Sequence, residues 1–342
     1  MALTCQLYPM QTRHATQAND ATIALLQTLV APSVATAELA SLGLPATVYH
    51  NLTGESVTSA RRALDCVTTR IASGDAIPLH ELRALSQAVY ECVPYLLHTE
   101  ASPPLVRSLL QLEHLHDAVT TLQNLVAMRT LAVAGLGALR LQYLSPTTRH
   151  DVTYDKLVHS LESTRGVYSR VRIAEVWAIS RPQDEASFQQ CSHLGNCQLL
   201  FYGASGAAAA AILNEGLHIS NSTTGDHLRY GRGMYFANSL EKLLARMPKL
   251  GVQCVFVVEA ALGRMHTETE AVPHRLAPPA GFDSVLAPGA TTPSMISFSN
   301  GISMPQGPLR PRCRSQAAVG IHDEVIVYKE DQIRLRYLVT FK

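Results

Sequence analysis

Three short segments carry residue types able to shape one ligand site. "QLLFYGAS" (198–205) is an apolar run that stops at Gly203, where the missing Cβ lets a ligand approach the backbone closely. "YGRGMYFANS" (230–239) flanks Arg232 with Gly231 and Gly233 and continues into an aromatic pair, Tyr235 and Phe236. "HDEVIVY" (322–328) sets Glu324 at the entrance to a β-branched run. Alone, a Gly-x-Gly pair is a turn and a carboxylate at a strand end is solvated. Together, and in this order, the three segments point to one pocket.

Other chemistry-bearing clusters have plainer readings. "CSHLGNC" brings Cys191, His193 and Cys197 together, but no second ligand pair follows at zinc spacing, so no metal is expected. His114 and His116 lie two apart and cannot share a helical face, which makes them stripe-edge residues. Arg310, Arg312 and Arg314 read as a solvated loop in preference to an anion site.

The elements that must position these residues fall into two halves. In "SVTSARRALDCVTTRIASG", Val57, Ala60, Leu64, Val67 and Ile71 recur at helical spacing, with Gly74 as a stop signal. "IPLHELRALSQAVYECVP" gives a second helix closed by Pro94, and "NDATIALLQTLV" an earlier one capped by Asn19 or Asp20. The longest runs through "PPLVRSLLQLEHLHDAVTTLQNLVAM", with Leu105, Leu109, Leu112, Leu115, Val119, Leu122 and Val126 on one stripe and Pro103–Pro104 in its first turn. These stripes describe a helical bundle. Beyond about residue 145 the period shortens. "YSRVRIAEVWAIS", "CQLLFYG", "VQCVFVVEAAL", "DEVIVYKE" and "IRLRYLVTFK" are runs of strand length. A Gly/Pro-rich stretch, about 272–318, is long enough to be a functional loop or to hide small strands.

The 342 residues suffice for two domains, each with its own core. Apolar residues make up 47% and charged residues 16%, the balance of a packed globular chain. A net charge of +1 gives no electrostatic case for nucleic acid or an anionic membrane as partner. No stretch approaches ~18 uninterrupted apolar residues, and the first twenty lack a signal peptide's pattern. Seven scattered cysteines fit reduced intracellular thiols.

"LLFYGAS", "GRGMYFAN" and "DEVIVY" resemble, in that order, three motifs of the poly(ADP-ribose) polymerase (PARP) family: Leu-Leu-Trp-His-Gly-Ser, Gly-Lys-Gly-Ile-Tyr-Phe-Ala-Asp and Asn-Glu-Tyr-Ile-Val-Tyr. "GLHIS", "VVEAALGRM", "GATTPS" and "QIRLRYLVTF" match as well, and "DVTYDKL" (151–157) is similar to the start of the catalytic domain. The resemblance implies an α+β fold: an N-terminal helical bundle followed by a mixed, mainly antiparallel β-sheet ADP-ribosyltransferase domain. The implied boundaries are a helical regulatory-type domain at 20–129, a linker at 130–144 and a catalytic domain at 145–342. The family binds NAD+ as its substrate and transfers ADP-ribose to protein acceptors through an oxocarbenium-like transition state. The resemblance gives Glu324 the catalytic role, Gly203 the backbone clamp on the nicotinamide amide, and Tyr235 the aromatic wall. It implies a nuclear location by family habit, with no membrane partner and no DNA-reading module in view.

Departures from the family pattern cluster at the cofactor. Tyr202 replaces a ribose-binding histidine and Ala204 a serine; Leu243 and Arg246 fall where the family has a serine donor and a second stacking tyrosine. His218 falls where an arginine meets the adenosine end. Each stranded partner costs on the order of 1–3 kcal/mol. The segment between "YDKL" and "VYSRVRIAEV" is short, which implies a missing outer helix. Two functions follow: an ADP-ribosyltransferase, with single transfer favoured over polymer formation, or a weak or inactive relative acting as a binding or scaffold protein.

Overall fold

The structure is a computed structural model that describes residues 20–72, 76–97, 104–134, 139–144, 154–168, 170–219, 229–246, 254–298, 300–312 and 320–342. The first part is helical, comprising α1 (20–29), α2 (Pro32–Ser41), α3 (Val48–Asn51), α4 (Gly54–Ala72), α5 (Leu79–Cys92) and α6 (Leu109–Ala134). The expected stripe of α4 faces inward: Val57, Ala60, Leu64 and Val67 are all fully buried. Asp20 opens α1, while Asn19, Gly74 and Pro103 lie outside the described residues. By length and composition, Asp20–Ser41 is the one helical stretch among the described residues that could cross a membrane. Its Leu25, Leu29, Val34, Ala35 and Leu39 are buried in the main core cluster.

The longest helix starts later than its prolines suggest. Ser108 Oγ accepts from Gln111 N (3.2 Å), and Gln111 Oε1 accepts in return from Ser108 N (3.2 Å) and Arg107 N (2.8 Å). This reciprocal box satisfies the first free amides and fixes the start at Leu109. Leu105 therefore precedes the helix. His116 is no stripe-edge residue either: it is 0% exposed and hydrogen-bonds Thr68 Oγ1 across to α4 at 2.9 Å.

The second part is built on two sheets. The larger has the order β1-β2-β12-β5-β3-β9-β8-β10. Its strands are β1 (Arg140–Leu144), β2 (Ile173–Ser180), β3 (Cys197–Ala204), β5 (Cys254–Ala261), β8 (Gly289–Ser297), β9 (Ser303–Pro311), β10 (Gly320–His322) and β12 (Ile333–Phe341). The smaller, β4-β11-β7-β6, comprises β4 (Met234–Phe236), β6 (Met265–Thr267), β7 (Ser284–Ala287) and β11 (Glu324–Val327). Most pairs are antiparallel; β3–β9, β8–β10 and β6–β7 are parallel. The fold is thus α+β with a mixed, mainly antiparallel sheet, as expected. The Gly/Pro-rich stretch 272–318 holds β7, β8 and β9.

Residues 130–144, expected as a linker, include the end of α6 and strand β1. β1 aligns Tyr143 with Trp177 of β2, and the two rings meet edge-on at 5.8 Å. The outer wall also has a helix where none was expected. α7 (Tyr154–Ser163) buries Leu157 and Leu161, one turn apart, and Ser160 Oγ donates to Pro305 O at 2.5 Å. The described residues of this half also form the helices α8 (Pro182–Cys191), α9 (Gly206–Glu215) and α10 (Leu240–Arg246).

The helical half and the sheet do not keep separate cores. One cluster runs from Leu64, Leu112 and Leu122 through α9 to Leu200, Phe256 and Leu338. The alanine run of α9 explains it. Ala207, Ala209 and Ala210 are fully buried, and side chains this small let α6 pack against α9 while α9 lies on the sheet. Alternate residues of the same strands, such as Leu199, Phe201, Val255 and Val257, face a second cluster with α7 and α10.

Candidate active site

The three motif segments converge through strand register. β3 carries Tyr202 and Gly203 opposite Phe256 and Val255. Immediately before this pair, Phe201 exchanges both backbone hydrogen bonds with Ala237, at 2.8 and 2.9 Å. Ala237 directly follows β4, and β4 pairs Phe236 with Val325 and Tyr235 with Ile326 of β11. Ala237 therefore joins the two sheets and brings the end of β3, the aromatic pair and Glu324 to one place.

The Gly-Arg-Gly loop is a spacer. Gly231 has φ +90°, and a Cβ there would lie 2.1 Å from Arg275 O. A Cβ on Gly233 would lie 2.5 Å from Ile326 Cγ2, so only glycine lets β4 sit this close to β11. Tyr235 locks the loop: its hydroxyl donates to Gly231 O at 2.7 Å and accepts from Tyr230 N at 2.9 Å. Burial pushes its phenol well above the ordinary tyrosine range, and the charge of Glu324 adds to the shift.

Glu324 opens β11, with its side chain 16% exposed. Its Oε1 lies 2.7 Å from Lys242 Nζ of α10. Lys242 is more deeply buried, and also donates to Asp323 O at 2.9 Å. Asp323 is 2% exposed and accepts from Asn238 Nδ2 (2.8 Å), Thr292 Oγ1 (2.7 Å), Gly289 N (2.7 Å) and Arg312 Nη2 (2.6 Å). Arg312 is accordingly not a solvated loop residue, because Asp323 supplies its counter-charge. Arg310 is exposed on β9, and Arg314 lies outside the described residues.

Of the remaining expected residues, Tyr202 and His218 line a cavity between the two halves. It measures about 540 Å³ and is lined by Tyr202, Ala208 and His218 on one side and by Arg61 and Gln123 on the other. The Tyr202 ring meets Phe236 edge-on at 6.1 Å, and burial raises its phenol pKa. Ala204 is buried in the shared core. His218 Nδ1 lies 2.9 Å from Glu330 Oε2. Burial alone would lower the imidazole's pKa, but the hydrogen bond and charge of Glu330 outweigh it and leave the pKa raised. Leu243 packs into the second cluster, and Arg246 ends α10. Asp65 of α4 is held up by burial, while the positive charges of Arg61 and Arg232 oppose the shift. The helical half thus sets a carboxylate near the Gly-Arg-Gly loop.

Lys242, Asp323, Asn238, Thr292 and the pairing of Arg312 were not singled out from sequence. Lys242 sits among leucines on a seven-residue helix, and its partners are 81 and 82 positions away in the chain. Among the described residues, no group of three or more His, Cys, Asp or Glu could hold a metal ion.

Comparison with known proteins agrees with this architecture. The family model of the poly(ADP-ribose) polymerase catalytic domain matches residues 152–342. Human protein mono-ADP-ribosyltransferase PARP3 is 33% identical over 192 residues, covering 52% of this chain and 35% of that protein. The mouse protein of the same name is 34% identical over 198 residues, covering 54% and 36%. Chicken poly [ADP-ribose] polymerase 1 is 28% identical over 205 residues, covering 55% and 19%. The matched part therefore spans about a third of the human and mouse relatives and less of the chicken one.

Proposed function

The chain belongs to the poly(ADP-ribose) polymerase family, and from that premise we propose that it transfers ADP-ribose from NAD+ to protein side chains inside the cell, one unit at a time. The observation that supports this most is the buried Lys242–Glu324 pair beside Tyr235. Cleaving the nicotinamide–ribose bond builds positive charge on the sugar, and a carboxylate fixed in a partly dry site stabilises it without reorganising. In this reading Glu324 takes a ribose hydroxyl and then the acceptor's proton. Gly203 offers its backbone to the nicotinamide amide, and Tyr235 walls the ring. The acceptors are proteins, as the name protein mono-ADP-ribosyltransferase states for PARP3. No resident metal is required for any of these steps.

A second reading, a weakened enzyme that binds or scaffolds, is favoured by Tyr202. A phenol reaches farther from the backbone than an imidazole, and here it lines the cavity with its ring against Phe236. Under that reading NAD+ binds weakly and Tyr202→His strengthens it. Calorimetric titration of NAD+ into the wild type and Tyr202→His, with label transfer from NAD+ on the same samples, separates the two. Transfer by the wild type supports the enzyme. Absence of binding at millimolar NAD+ by a folded protein supports the scaffold. We also assign residues 20–129 a regulatory role, as a cover over the cavity they share with the catalytic half.

A further inference from the structure

We propose that Asp323 is a positioning residue that fixes the carboxylate of Glu324; the proposal rests on the transferase reading above. Asp323 lies where the two sheets meet. From the large sheet, its carboxylate takes Gly289 N and Thr292 Oγ1 of β8 and the guanidinium of Arg312 just past β9. From the β4 side it takes Asn238 Nδ2. Four donors on one buried carboxylate leave it little freedom, and Arg312 balances its charge.

The adjoining backbone is held as tightly. A Cβ on Gly289 would lie 2.2 Å from the carbonyl carbon of His322 and 2.6 Å from Asp323 N, so β8 presses directly on the chain that enters β11. The Asp323 carbonyl then accepts from Lys242 Nζ at 2.9 Å, the same ammonium that lies 2.7 Å from Glu324 Oε1. One cation thus reads the position of two consecutive residues. Any shift of residue 323 moves both the backbone of Glu324 and the lysine that aims its side chain. In a site whose rate depends on alignment, a displacement of about 1 Å costs roughly 100-fold.

The family motifs carry asparagine at 323 together with aspartate at 238, whereas this chain carries the reverse pair and adds Arg312. Here an asparagine at 323 therefore keeps the size but not the hydrogen bonding. It offers one acceptor oxygen, and its NH2 faces groups that are themselves donors. Asp323→Asn should therefore loosen the clamp while the core stays intact. Thr292→Val, which deletes one donor, should act in the same direction more mildly.

The test uses the full chain and reads Lys242 as well as turnover. Lysines are acetylated with limiting acetic anhydride and followed by peptide mass spectrometry, with exposed Lys329 as internal standard. Relative to Lys329, Lys242 should react at least 10-fold faster in Asp323→Asn and about 3-fold faster in Thr292→Val. Transfer from NAD+ should fall at least 30-fold in kcat for Asp323→Asn, with KM within about 3-fold. Lys242 staying protected in both variants with kcat unchanged overturns the proposal. So does equal acceleration of Lys242 and Lys329 with a lowered Tm, since that is general loosening. If Asp323→Asn fails to fold, Thr292→Val decides by the same measures. A wild type that transfers nothing refutes the transferase reading, while the Lys242 labelling still decides the clamp.

Discussion

The ammonium of Lys242 lies 2.7 Å from a carboxylate oxygen of Glu324 and 2.9 Å from the carbonyl oxygen of Asp323, so a single buried cation holds the entrance of β11. Two charges taken out of water here are paired with each other and with backbone. Removing one member of such a pair is costly because the other remains buried.

Lys242→Met should therefore lower stability by about 3 kcal/mol. The double variant Lys242→Met/Glu324→Gln should recover part of that loss, because no unpaired charge remains. Denaturant midpoints for the four proteins of the cycle check this. A fully additive double variant would show that the pair is not coupled.

Charge on α4 near the Gly-Arg-Gly loop offers a test of the helical cover. Asp65→Lys places a cation near Arg232. Repulsion should loosen α4 from the Gly-Arg-Gly loop and raise NAD+ affinity several-fold, as read by calorimetry. Unchanged affinity in a folded variant would remove the regulatory role assigned to residues 20–129.

Stability of the helical half should depend on pH through His116. Its imidazole is pushed down from 6.5 to about 4 by burial, with a smaller contribution from Arg61. At neutral pH both folded and unfolded forms are uncharged. As pH falls below 6.5 the unfolded chain gains a proton that the folded chain refuses, so folding weakens progressively until about pH 4. The loss is on the order of 2–3 kcal/mol. Urea midpoints at pH 7 and pH 5 should differ accordingly, and His116→Gln should remove most of the difference. An unaltered slope in His116→Gln would assign the pH dependence to other groups.

How far these features were legible in the sequence follows from their range. Period-two and helical stripes are local, and they placed β3, β5, β11, β12 and α4 correctly. β9 was hidden because Pro305, Pro308 and Pro311 read as loop residues. The strand tolerates them because it pairs along β8, while its ladder pairing with β3 is limited to Gln198 opposite Ser303. The start of α6 was misplaced because the prolines outweighed a Ser-x-x-Gln box four residues on. In the site, the motif segments carried Glu324, Tyr235 and Gly203. Lys242 and Asp323 escaped because their partners come from distant strands, and a single sequence does not record contacts of that range.

Single-turnover transfer at saturating NAD+, in wild type and Glu324→Gln with NAD+ occupancy measured on the same samples, tests the central claim most directly. The expected result is labelled protein from the wild type and a loss of at least 100-fold in Glu324→Gln, with NAD+ affinity within a few-fold. Equal transfer by the two proteins at equal occupancy would contradict the account.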